Sequence, residues 1–278
     1  MHDEQSAATE LTQPGGGSQA SPLVQAPPAP RDYFAMRFVI AYVALGGVLV
    51  GSVLALVVFG LKPGFETPPA WSSWKPKQGA IAAMTKEIAD RIAPNYRLES
   101  GAQIAAVVPS TPTVTAGTDT ISIAAVALRS AGGDTDVQSV SAATTAMYTL
   151  CGLGVHCSIA TGKPSLARGQ LVHREGLEAA LYTFKYVHSI TSVLVFMPPA
   201  PGATATTVLY YEKTDLVGPL SRPLRKTLPL AAPPRSDNPD ALEANVITAL
   251  TYPHLYTSLL TQLQPGGALL VLTPVLSS

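Results

Sequence analysis

The feature that most constrains this chain is an uninterrupted apolar segment of 24 residues, 38–61, in which no side chain is charged. A helix of that length extends about 36 Å, enough to cross a hydrocarbon core of about 30 Å with some tilt. Arg37 and Lys62 bracket the segment, where their charged ends would reach the lipid–water interface. The sequence therefore predicts one transmembrane helix, which we place at residues 36–62.

This segment is typical of an uncleaved signal anchor, because it is longer than the apolar core of a cleaved signal peptide and 37 residues precede it. No second apolar segment of comparable length follows, so we expect a single-pass membrane protein. The numbers of Lys and Arg residues close to the two ends of the span are too similar to determine its orientation. The following residues are poor in charge and contain a close cysteine pair, so we expect the C-terminal domain to be extracytoplasmic.

Within the span, Gly47, Gly51 and Ala55 recur every fourth residue and share one helix face. Small residues at this spacing allow two transmembrane helices to approach closely, so a homodimer through the membrane helix is one prediction. The alternative is that glycine is simply common in transmembrane helices.

The segments on either side of the span differ from it in composition. Residues 1–35 are rich in Gln, Ala, Ser, Gly and Pro, and we expect a disordered tail. Residues 63–78 form a linker that is rich in proline and contains Trp71 and Trp74. These tryptophans either lie at the membrane interface, which indole side chains favour, or pack on the folded domain.

Residues 79–278 are long enough for one hydrophobic core. Their patterning predicts an α+β domain with a mostly antiparallel sheet and helices packed on one face. The order also admits two α-β-β units, over residues 80–129 and 174–213, as an alternative to ordinary α+β order. The expected helices are 80–93, 174–188, 240–250 and 255–263. The expected strands are 103–109, 120–129, 144–150, 192–197, 206–212 and 268–273.

Cys151 and Cys157 stand out as the chain's two cysteines, separated by five residues that include Gly152 and Gly154. In an oxidising compartment this pair would form a disulfide that closes a short loop. Two alternatives stay open. The thiols are free and structural, or they serve a redox or metal site together with His156.

No sequence motif of a known catalytic or phosphate-binding site occurs, and we expect no cofactor and no metal. Glu175 and Glu178 lie one helical turn apart, and a solvated helix face is the favoured interpretation over acid–base catalysis. Arg222, Arg225 and Lys226 form the densest basic cluster. This cluster either contacts an anion such as a lipid phosphate or belongs to a solvated loop.

The balance of charge bears on function. Eighteen basic and eighteen acidic residues cancel, so nucleic acid is not an expected partner. We favour a non-catalytic scaffold or assembly protein of the cell envelope, with the lipid bilayer and an envelope protein as its partners. The alternative is a membrane-anchored enzyme or small-ligand binder, which requires a cavity that joins a histidine with Ser, Asp or Glu from distant segments.

Overall fold

The computed structural model describes residues 32–61, 69–110, 112–116, 119–130, 137–230, 232–235, 241–263 and 267–275. The chain divides into two compact units, Met1–Thr67 and Pro68–Ser278. The predicted disordered tail lies outside the described residues as far as residue 31, and residues 32–35 belong to a helix.

The first unit contains helix α1, Asp32–Leu61. Its apolar stretch, Met36–Val57, has 22 residues, and none of its side chains is buried within the protein. Among the residues that the structure describes, this is the one helix long and apolar enough to span a membrane.

The second unit is a mixed α+β domain. Its longer helices are α2 Ile81–Ile92, α3 Leu166–Tyr186, α4 Val217–Ser221 and α5 Ala241–Thr251. Its strands are β1 Ala106–Ser110, β2 Thr113–Ala116, β3 Asp119–Arg129, β4 Val137–Ser141, β5 Thr145–Cys151, β6 Ser192–Phe196, β7 Thr207–Glu212, β8 Leu255–Leu263 and β9 Gly267–Pro274. Single 3₁₀ turns occupy Ala93–Asn95, Ala142–Thr144, Val155–Cys157, Lys213–Leu216, Leu224–Lys226 and Tyr252–His254.

The nine described strands belong to one sheet with the order β1-β5-β6-β7-β8-β9-β3-β2, and β4 also pairs with β3. Two of the eight strand pairs are parallel, β5 with β6 and β3 with β9, and the others are antiparallel. The prediction of a mostly antiparallel sheet is confirmed.

This sheet has to roll up, because its two ends are joined by a short link. β4 pairs with β3 at one end and β5 pairs with β6 near the other, yet only Ala142–Thr144 connects β4 to β5. In a flat sheet, six strand spacings of about 4.8 Å would separate them by about 29 Å. Four residue steps reach at most about 14 Å. β4 therefore lies close to β5, and the seven strands β3 to β9, counted along the chain, close into a barrel-like roll.

Rolling gives the domain two apolar cores, because successive side chains of a strand point to opposite faces. In β6, Val193 and Val195 pack outside the roll against the helices, whereas Leu194 and Phe196 pack inside it. The inner core takes residues from β3 to β9 and includes Val126, Met147, Leu194, Val208, Tyr210, Leu270 and Leu272.

Helix α3 packs on the outer face of β5 and β6, with α2 and α5 against it. Gly176 marks the closest approach, because a Cβ there would lie 3.1 Å from Leu209 Cδ1 and 3.2 Å from Met197 Cε. A side chain at this position would push the helix away from the sheet.

Several sequence-based assignments need correction. Residues Leu255–Leu263, expected to be helical, form strand β8, which pairs with β9 over residues 256–263. Helix α3 begins at Leu166 rather than at residue 174, because Ser165 caps it by accepting a hydrogen bond from Arg168 N. The strands of the second α-β-β unit, β6 and β7, pair with each other. Those of the first, β1 and β3, pair instead with β5 and β9.

The close approach at Gly176 gives a stability test. Gly176→Val should lower the free energy of unfolding by about 1–3 kcal/mol, because three neighbouring side chains would have to move. Gly169→Val is the matched control in the same helix, where nothing lies within 4 Å of an added Cβ. The free energy of unfolding is measured by urea titration of the full chain in detergent, with tryptophan fluorescence as the signal. Equal losses in the two variants would contradict the tight packing of α3.

Candidate functional site

A cavity lies where the parallel strands β5 and β6 end and α3 begins. Helix α3 is the crossover between these two strands, so its N-terminus meets their carboxyl ends. In sheets with parallel strands, ligands bind at this edge. A cavity of about 320 Å³ is found there, between the first two turns of α3, residues 159–165 and residues 197–201. We call it the α3 cavity.

The walls of the α3 cavity are mainly apolar. Val172 and Met197 are buried, and Ile159 and Pro164 complete this side. The opposite wall contains three prolines within residues 198–201, which restrict the backbone. An apolar pocket with a few polar groups is the usual form of a small-molecule site.

Arg168 is the cationic side chain in this wall. The residue is only 8% exposed. One guanidinium nitrogen, Nη1, donates a hydrogen bond to Lys163 O at 3.2 Å. Among the residues that the structure describes, no carboxylate lies within 4.0 Å of it to form an ion pair. Partial burial lowers the pKa of Arg168, and no nearby carboxylate offsets this effect within the described residues.

His173 also lines this cavity. Its Nδ1 lies 3.4 Å from Thr251 Oγ1, and that hydroxyl donates its own hydrogen to Ile247 O at 2.8 Å. Nδ1–H must therefore be the donor to Thr251. Burial lowers the pKa of His173, so the ring is neutral at pH 7, and Nε2 keeps its lone pair.

The loop that leads from β5 to the cavity is closed by the two cysteines. Their sulfurs lie 2.01 Å apart, at the distance of a disulfide. Gly152 is required here, because a Cβ at this position would come within 2.3 Å of Ser158 O. His156 and Cys157 have φ values of 54° and 64°, a conformation that non-glycine residues seldom adopt. The closed loop holds Ser158 and the start of the 159–165 wall in place.

A second polar cluster ties α3 to α5. The guanidinium of Arg174 donates to Glu243 Oε1 through Nε at 3.2 Å and through Nη2 at 3.1 Å. Its Nη1 donates to Tyr96 OH at 2.6 Å and to Glu178 Oε2 at 3.2 Å, and Nη2 also donates to Leu230 O. Arg174 is 2% exposed, so these bonds compensate for the loss of its water. The cluster joins α3 to α5 and to Tyr96, so it contributes to the packing of the domain.

The interpretation of Glu175 and Glu178 as a solvated helix face is wrong. Glu175 is fully buried, and neither carboxyl oxygen has a hydrogen-bond partner among the described residues. Burial, together with the charge of Glu178, raises the pKa of Glu175 well above its usual value. A neutral acid is the form that such a site stabilises. The helical pattern could have shown this, because Glu175 lies on the same side of α3 as Leu171 and Ala179.

The remaining predicted site residues lie apart from the α3 cavity. Trp71 is 9% exposed and donates from its indole nitrogen to Pro219 O, and Trp74 is partly buried against the same core. The structure thus favours packing on the domain over the membrane-interface assignment. The reason is the aromatic cluster with Tyr182, whose ring lies 5.3 Å from that of Trp71 and 5.5 Å from that of Trp74.

The basic cluster and the small-residue stripe are both on surfaces. Arg222 donates to Thr227 Oγ1 at 3.1 Å, while Arg225 and Lys226 are exposed. Gly47 and Gly51 lie on α1 with nothing within 4 Å of an added Cβ, and Ala55 follows them on the same exposed helix. The anion-contact and helix-pairing assignments stay predictions.

The α3 cavity does not contain the constellation that the enzymatic alternative requires. His173 and Ser165 line it, but both belong to the start of α3, and no carboxylate is among its lining residues. His254 Nδ1 lies 3.6 Å from Asp215 Oδ2, but neither residue lines this cavity. Within the described residues, no group of three or more His, Cys, Asp or Glu side chains is placed to hold a metal ion.

Comparison with known proteins adds no functional assignment, since no protein-family model, curated protein or solved structure matches this chain.

The buried acid gives a pH test. The raised pKa of Glu175 means that, at pH values between its unfolded and folded pKa, the folded state holds a proton that the unfolded state has released. This residue's contribution to stability is then present below its unfolded pKa and is lost, by up to about 1.4 kcal/mol per pH unit, as the pH rises toward its folded pKa. Glu175→Gln should reduce this decline, so the variant should exceed the unmodified protein in stability at pH 8 more than at pH 5.

Urea unfolding of the full chain in detergent at the two pH values checks this prediction. Glu87→Gln, at a partly exposed position of α2, is the control. An unchanged pH dependence in Glu175→Gln would show that Glu175 is ionised in the folded protein.

Proposed function

We propose that this chain is a single-pass membrane protein whose C-terminal domain is extracytoplasmic and acts as an assembly module of the cell envelope. Two observations support the first part. No side chain in the apolar stretch of α1 is buried by the described residues, and a fully apolar helix of this length suits a lipid environment. The disulfide between Cys151 and Cys157 suits an oxidising compartment.

The assembly role is carried by one observation, the open edge of β8. Strand β7 pairs with β8 at residues 255–257, and Ser258 N donates to Thr206 O just beyond them. Hydrogen-bonding direction alternates along a strand, so the N–H and C=O groups of Leu260 and Gln262 point to the same side as those of Ser258. No described strand pairs with β8 on that side beyond Ser258.

The side chains of this edge are also suited to pairing. Residues 255–263 contain no charge and no proline, the two features with which proteins commonly block exposed strand edges. Leu259 is 65% exposed, and Leu260 and Leu263 are each 39% exposed. An extended strand from an envelope partner would gain backbone hydrogen bonds and cover these leucines.

Other predicted contacts fit this role. The stripe of Gly47, Gly51 and Ala55 on α1 would pair membrane helices, and Arg222, Arg225 and Lys226 would meet anionic groups. The second candidate function, a membrane-anchored small-ligand binder, is favoured by the α3 cavity and its buried Arg168.

Site-specific photo-crosslinking tests the open edge. A photoreactive residue at position 262 of the full chain, in its native membrane, should give a discrete crosslinked product. Leu260→Pro removes one outward N–H without removing a bond to β9, and it should abolish the product. Leu260→Ala keeps that N–H and should retain the product.

The same photoreactive residue at position 86, on the exposed face of α2, is the control and should give no such product. A product of twice the chain's mass would identify a second copy as the partner, and another mass would identify a different protein. The absence of a product from position 262, or its persistence in Leu260→Pro, would contradict the proposed role of the edge.

A further inference from the structure

We propose that the α3 cavity binds a small carboxylic acid with an apolar body and one hydrogen-bond donor. In this site Arg168 is the counter-ion of the carboxylate and Nε2 of His173 accepts from the donor. The inference names the ligand class of the second candidate function, and it does not depend on the open edge of β8.

The need for an anion comes from Arg168. A guanidinium that is removed from water requires either a counter-ion or a full set of hydrogen bonds. Arg174, six residues further along the same helix, has both. Arg168 is 8% exposed as a residue, and its guanidinium has one hydrogen bond, to Lys163 O, and no carboxylate partner within the described residues. Since it lines a cavity, a ligand can supply the missing negative charge.

The start of α3 adds to the positive potential at this point. The helix has 21 residues, and its N-cap Ser165 and its first-turn residue Arg168 both line the cavity. The positive end of a helix dipole stabilises an anion. The arginine and the helix end thus favour the same charge in the ligand.

The rest of the ligand follows from the other walls. Val172, Met197 and the prolines of residues 198–201 offer apolar contact and no charge. Because Nδ1–H of His173 is used by Thr251, the ring can only accept a hydrogen bond at Nε2 in its neutral form. A hydroxyl or amide N–H on the ligand would satisfy it. A volume of about 320 Å³ is at the small end of ligand sites, which suits a compact molecule.

N-Acetyl-leucine has these three groups and serves as the probe. Binding to the full chain in lipid nanodiscs is measured by ligand-observed saturation-transfer NMR, with N-acetyl-leucinamide as the matched compound without a carboxylate. We expect the acid to bind at low-millimolar concentration or better and the amide to bind at least tenfold more weakly. Equal binding of the two compounds, or no binding of the acid, would overturn the proposal.

Two variants locate the site. Arg168→Gln should weaken binding of the acid about tenfold or more, because a charge-assisted bond is lost. Lys86→Gln removes an exposed charge on α2, which does not line the cavity, and should leave the affinity unchanged. Tryptophan fluorescence unfolding confirms that each variant is folded. If Arg168→Gln does not fold, the comparison of acid with amide on the unmodified protein still decides the question.

A separate experiment tests His173 as the hydrogen-bond acceptor for the ligand. His173→Phe keeps a ring but removes the acceptor. It should weaken binding of N-acetyl-leucine while leaving binding of 4-methylpentanoate, which lacks the amide N–H, unchanged. An equal loss for both acids would show that His173 only shapes the cavity and would overturn its assignment as the acceptor. Failure of any of these tests would leave the open edge of β8 unaffected, since crosslinking there reads a different surface.

Discussion

The three residues Ala142–Thr144 connect strands that belong to distant parts of the sheet, and the rest of the domain follows from how short this link is. Because β4 and β5 cannot separate, the intervening strands must curve until the ends meet. Closure creates an inner core that needs apolar side chains on one face of each strand. The other face of β5, β6 and β7 is apolar as well and needs helices to cover it, which α2 and α3 provide.

The candidate site is a consequence of the same topology. A parallel pair such as β5 and β6 cannot be joined by a hairpin, so a crossover is required, and α3 supplies it. Because α3, on the return path, runs in the opposite direction to β5 and β6, its first turn lies beside the carboxyl ends of both strands. The disulfide loop lies on this path and holds one wall of the cavity, while the Arg174 cluster anchors the helix behind it. Arg168 is thereby held in the wall, and no carboxylate of the described part of the chain pairs with it.

Much of the fold could be predicted from local sequence patterns, and the parts that could not depend on distant contacts. Strands β6 and β7 could be predicted, because each is a short apolar segment next to a proline-rich loop and such signals are local. β8 was expected to be a helix because its leucines at 255, 259 and 263 recur at helical spacing, but pairing with β9 overrides that pattern. Closure of the roll depends on the parallel pairing of β3 with β9, more than 130 residues apart in the sequence, and no local signal indicates it.

The candidate site was harder to predict than the fold for the same reason. The cysteine pair was visible as a motif, but Arg168 and His173 belong to a part of α3 that was not recognised as helical, because Gly169 interrupts a weak pattern there. Tryptophan is a residue type typical of the membrane interface, so the sequence alone does not place Trp71. The positions of Tyr182 and Tyr186 show that its ring packs on the domain.

The central claim, an anchored domain on the extracytoplasmic side, is tested most directly by thiol labelling in intact cells. Cells are treated with a small membrane-impermeant maleimide, with or without an impermeant reductant. After lysis and denaturation, the remaining thiols are tagged with a polymer maleimide before and after full reduction. We predict that Cys151 and Cys157 are blocked in intact cells only when the impermeant reductant is present, and that without it they are tagged only after full reduction. Thiols that are tagged in the denatured lysate without any reductant would place the domain in the cytosol and contradict the account.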